Sequence, residues 1–133
     1  MTLARAAVVL AGGFLLHNAD HARRGLDVVR DGVVWGGTLA AMVVAVMLTL
    51  VVARHGAAPA VAMVGGFSIA VGVSAVHLLP DWGPLSDSLP DGKVDVWTWL
   101  AVLAEIGSAA LVGVVALQVL RRNDYSLAIA DWG

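Results

Sequence analysis

No cysteine occurs among the 133 residues, which excludes disulfides, thiolate zinc sites and cysteine-held iron–sulfur clusters. Charge is nearly as scarce. Asp, Glu, Lys and Arg make up 14% of the chain, against roughly 25% in a soluble domain. The eight basic residues are dispersed and outnumbered by ten acidic ones. Without a basic patch to release counterions from phosphate, nucleic acid is not an expected partner. Only four prolines are present, three of them between positions 80 and 90. Apolar side chains fill the rest, at 59% of residues and a mean hydropathy of +0.85. A domain this small has too little interior to hide such an excess. Lipid is the remaining solvent, and the bilayer is the expected surrounding.

Crossing about 30 Å of hydrocarbon at about 1.5 Å per residue takes roughly 20 apolar residues. Residues 33–52, 57–79 and 96–120 meet that length directly. The first apolar run, 6–16, reaches it only by continuing through His17, Asn18, Asp20 and His21 to Arg24. No small-x-small cleavage pattern follows, so the segment reads as a retained helix rather than a secretory leader. Asp31-Gly32, Gly56 with Pro59, and Pro80 punctuate the pattern. The expected fold is all-α: an integral membrane four-helix bundle forming a single domain over 1–133. Its helices fall near 4–24, 33–54, 57–79 and 96–120.

Four crossings put both termini and the Arg54-His55-Gly56 turn on one side. The segments 22–32 and 80–95 lie on the other. Basic residues tie, with Arg5, Arg54, Arg121 and Arg122 facing Arg23, Arg24, Arg30 and Lys93. Counting Asp20 just before them, seven aspartates accompany the second group. The reading adopted is a multi-pass plasma-membrane protein with cytoplasmic termini. Trp35, Trp82, Trp97 and Trp99 all fall on the loop side, where indoles favour the headgroup boundary. The Ala/Val/Gly/Arg-rich usage points to a bacterial source.

Sliding the chain by 60 residues superimposes His17 on His77, Asp27 on Asp87, Asp31-Gly32 on Asp91-Gly92 and Thr38 on Thr98. Such a register describes two tandem helical hairpins related by a pseudo-twofold axis along the membrane normal. Chance, together with the shared demands of two membrane hairpins, is the competing account.

Helical spacing gathers the chemistry. Residues three and four apart share a face, which aligns Gly13, His17, Asp20, His21 and Arg24 on the first helix. The same rule aligns Ser74, His77 and Asp81 on the third, and Thr98, Glu105 and Ser108 on the fourth. His17 and His21 form the H-x3-H pair by which one helical face offers two imidazoles to a single ion. Ionisable groups sunk below the headgroups face the interior and find partners.

Three readings of this set stay open. In the first, His17, His21 and His77 bind a transition metal, and imidazole without thiolate suits zinc, iron or copper. Glu105 would be a ligand or proton carrier and Asp20 and Asp81 supporting groups, with redox or hydrolytic chemistry in view. In the second, His17 and His77 are axial ligands of a haem b, with Gly12, Gly13, Gly72 and Ser74 making room for the macrocycle. In the third, the polar groups are interhelical glue. The chain is then a non-catalytic accessory subunit of a larger membrane complex, or one protomer of a homo-oligomer.

Overall fold

The computed structural model describes residues 1–25, 29–92 and 94–130, with side chains described as far as residue 122. Asp27 and Lys93 lie outside the described residues. Four helices follow one another: α1 (Leu3–Arg24), α2 (Asp31–Val52), α3 (Ala58–Leu78) and α4 (Val96–Ala130). Among the described residues, α2, α3 and α4 as far as Arg122 are long and apolar enough to cross a membrane. At 22 residues α1 matches α2 in length, but its last two turns carry two histidines, an aspartate and two arginines.

The helix ends have local causes. Thr2 caps α1, its hydroxyl accepting from Arg5 N at 3.3 Å. The turn between α2 and α3 is closed by Arg54 in a left-handed conformation, φ 52°. There His55 N donates to Leu50 O at 2.9 Å, and Ala57 N donates to His55 Nδ1 at 3.1 Å. Pro59 sits in the first turn of α3, where its missing N–H costs nothing. At the other end Leu79 is extended, as a residue before proline prefers, and α3 stops at Leu78. The expectation for α4 ended at 120. The helix continues because the sequence from 114 to 132 holds neither glycine nor proline to stop it.

α4 is the centre of the bundle, packed along both α1 and α3. Small residues permit the approach. A Cβ on Gly13 would strike Ser108 Oγ and lie 2.9 Å from Ala104 O, while one on Gly66 would lie 2.7 Å from Ala109 O. The core between them is built from Leu10, Ile69, Val112, Val115 and Ala116, with Met47 from α2. By contrast α2 buries only Val33, Val44 and Met47. The two hairpins are therefore not packed alike: α1 lies close against α4, whereas the equivalent pair under the 60-residue register, α3 and α2, is looser.

The stretch after α3 reads in the sequence as a polar loop. In the structure it folds back over the helix end. Asp87 N donates to Val76 O at 3.0 Å and Leu89 N to His77 O at 2.9 Å, satisfying carbonyls that a helix C-terminus leaves orphaned. Ser86 and Leu89 are buried beneath it.

Candidate metal centre

The fold-back of that loop, the close approach at Gly13 and the end of α3 converge on one place. Gly13 lets α1 lie against α4, so His17, one turn further on, meets Glu105 in the same interface. His17 Nδ1 bonds to Glu105 Oε2, and with the carboxylate ionised the imidazole N–H is the donor. Both residues are buried, at 5% and 2% exposure. One turn on, Ser108 Oγ donates to the backbone carbonyl of Glu105 at 3.0 Å.

His77, in the last turn of α3, reaches the same pocket from the other side. Its Nδ1 donates to the carbonyl of Asp87 at 3.0 Å. His21 completes the set from one turn beyond His17. The ring centroids lie 4.6 Å apart for His17–His21, 4.7 Å for His17–His77 and 5.6 Å for His21–His77. One nitrogen from each ring falls within 4.8 Å of the other two. Hydrogen bonding at Nδ1 leaves the lone pair of His17 and of His77 on Nε2. Among the described residues, His17 Nε2 is buried with no hydrogen-bond partner. His21 differs: its Nδ1 accepts from Arg24 Nη2 at 3.0 Å, which places the proton of the neutral ring on Nε2.

A ring of ion pairs surrounds the triad. Asp20 is held between two arginines of its own helix, accepting from Arg23 Nη2 at 2.7 Å and lying 3.4 Å from Arg24 Nε. Arg23 continues to Asp95 at 2.9 Å, and Arg24 to Asp87 Oδ2 at 2.7 Å. These bridges pin the end of α1 to the start of α4 and to the loop. Burial pushes the Asp87 carboxyl up, but the hydrogen bond and charge of Arg24 outweigh it and hold the group below its ordinary value. Asp87 Oδ2 also lies 3.6 Å from His77 Nδ1 and 4.0 Å from His21 Nδ1.

Of the six residues singled out in the sequence, the structure gathers His17, His21 and His77 into one cluster and sets Glu105 behind His17. Asp20 turns to Arg23 and Arg24 rather than to a ring. Asp81 is drawn elsewhere, to a two-pronged pair with Arg30 at 2.8 and 2.6 Å. Its expected place on the His77 face assumed a continuing helix, and α3 ends before it. The Arg30 hydrogen bond holds the Asp81 carboxyl down at about 2. Gly13, expected to leave room for a macrocycle, is filled by α4. The carboxylate that approaches the histidines from the loop is Asp87, which spacing did not single out. The 60-residue register was the one signal that pointed to it, through its match with Asp27, which lies outside the described residues.

His55 stays apart in its exposed turn. Trp35 and Trp97 are exposed at the histidine end of the bundle. Trp82 folds back, donating from Nε1 to Ala75 O at 2.8 Å. Comparison with known protein families, with curated proteins and with solved structures finds no match to this chain.

Proposed function

We propose that the chain is a membrane protein whose four helices all cross the bilayer, and that His17, His21 and His77 bind a divalent transition metal near one face. The observation that carries this reading is His17 Nε2, a buried ring nitrogen without a partner among the described residues, inside a cluster of three imidazoles. An unsatisfied buried polar atom costs roughly 1–3 kcal/mol, and an ion at the centre of the triad removes that cost. Two nitrogens on a tetrahedral ion with bonds of about 2.1 Å would lie about 3.4 Å apart, so ring nitrogens within 4.8 Å of one another would close by at most about 1.4 Å. Zinc, iron and copper all suit three imidazoles.

The surrounding groups support this assignment by their roles. Glu105 accepts from the ring nitrogen of His17 opposite the metal, and the Asp87 carbonyl does the same for His77. Outer-shell acceptors of this kind fix the tautomer and raise ligand basicity. His21 would offer a lone pair by releasing Arg24, either on Nδ1 itself or, after tautomer exchange, on Nε2 with Nδ1–H turned to the Asp87 carboxylate. Burial of α1's polar end against α3, α4 and the loop supports its crossing the membrane, because ionisable groups at such depth persist when they face inward and are paired. The haem reading is not carried further, since the His17 and His77 rings pack directly together at 4.7 Å.

Metal analysis of the detergent-purified full chain tests the proposal. About one ion per chain is expected, falling to background in His17→Ala and in His77→Ala. Metal-free protein, still metal-free after exposure to zinc, would overturn it and leave the accessory-subunit reading.

A further inference from the structure

The triad lies at one end of a groove far larger than an ion needs. Its volume is about 1210 Å³, beyond the roughly 300–1,000 Å³ of pockets for drug-sized ligands. Along α3 its wall runs from Ala60 to His77, about 26 Å at a rise of about 1.5 Å per residue. The opposite wall is α2, the helix that packs most loosely. Among the described residues, the lining away from the histidines is apolar except for Asn18, Thr38 and Ser68. Asn18 and Thr38 spend their donors on their own helices, on Phe14 O and Val34 O. Leu39 and Val64, both lining the groove, are 64% and 60% exposed, so it is open along its length.

Two glycines add to the space. A Cβ on Gly13 or Gly66 would collide with α4, whereas one on Gly37 or Gly72 meets nothing within 4 Å among the described residues. The latter two line the groove, and the missing side chains widen it without bringing any helix closer.

We propose that this groove holds the hydrocarbon chain of a fatty carboxylate, whose head oxygen takes the position left open by the three histidines. The inference rests on the metal reading above. Three protein ligands would leave a tetrahedral ion one free position, and three neutral imidazoles bring no negative charge into direct contact with it, the carboxylates of Glu105 and Asp87 standing behind the rings. An anionic oxygen answers both needs. A phospholipid headgroup does not, because no lysine or arginine lines the groove among the described residues. A bare hydrocarbon would leave the open position empty.

The test uses stearate carrying a nitroxide at its fifth carbon, with its methyl ester as the headless control. Both are added to zinc-loaded full-length protein in detergent micelles. Trp82 lines the groove at the histidine end, and its fluorescence, isolated by difference from Trp82→Phe, reports quenching by the nitroxide. Saturable quenching by the acid is expected, at least tenfold weaker for the ester. In the double variant Gly37→Leu, Gly72→Leu, whose new side chains fill the groove, saturation is lost. Zinc is counted in every sample. Quenching that rises linearly for acid and ester alike, or that survives in the double variant while zinc stays bound, overturns the fatty-acid site and leaves the metal centre standing. Saturable quenching without zinc overturns the metal-held head and the metal reading together. A protein whose groove is filled by a second copy would show a dimer that the acid cannot enter, which also overturns the proposal.

Discussion

Helices α2 and α4 are equally apolar, yet half of the α4 span is buried within the protein against 17% of α2. Both are long and apolar enough to cross a membrane, and hydropathy says nothing of which is central. What separates them is where their polar and small residues go. Thr38 and Thr49 of α2 donate to their own backbone at 2.9 and 2.8 Å, and both are exposed. Thr98, Glu105 and Ser108 of α4 are buried, and Glu105 bonds to a different helix. In lipid, where apolar surface gives helices little reason to associate, close small-residue contacts and interhelical hydrogen bonds choose the neighbours.

The largest effect should come from breaking the α1–α4 approach. Gly13→Leu drives a side chain into Ser108 and the Ala104 backbone, and overpacking of this kind typically costs about 1–3 kcal/mol or more. A steep fall in thermal stability in detergent, with loss of metal, is expected, and an unshifted midpoint would refute the packing account. Glu105→Ala comes next. It leaves the His17 ring N–H buried without an acceptor, costing about 1–3 kcal/mol. Loss of such an outer-shell partner should also weaken metal binding about 10–100-fold. Glu105→Gln retains an acceptor and should recover part of both, so equal damage in the two variants would argue against the orienting role.

On α2 the same kind of change should do almost nothing. Gly36→Ala meets open space and should alter stability by less than the roughly 1 kcal/mol that separates glycine from alanine in helices. A clear destabilisation by calorimetry would mean that α2 packs more closely than described. The smallest effect concerns the exposed Arg30–Asp81 pair. Its carboxyl lies at about 2 when folded against an ordinary value of 3.8. The folded value is depressed, so the contribution is complete above about pH 4 and fades as the pH falls from 3.8 toward 2. Fluorescence of the adjacent Trp82 should track that window in the wild type and lose it in Arg30→Ala.

Much of this was legible in the sequence. Apolar run lengths and Pro80 locate the helices, and the depth of His17 and Glu105 relative to the helix ends brings them to one level. Other parts depend on contacts that spacing does not encode. Asp81 sits four residues after His77, the helical interval, but proline ends the helix between them. Asp87 reaches the histidines only because backbone amides of its loop bond to the last carbonyls of α3. Nothing in composition distinguishes α4 as the hub, since that follows from where Gly13 and Gly66 find a backbone to lie against.

The fold-back after α3 has a consequence for how the buried rings are governed. Neighbouring atoms of one short stretch both seal the helix end, through the Asp87 and Leu89 amides, and steady an imidazole, through the Asp87 carbonyl. The stretch cannot be peeled away without unfastening the ring, so whatever grips the surface here also has a hand on the histidine below.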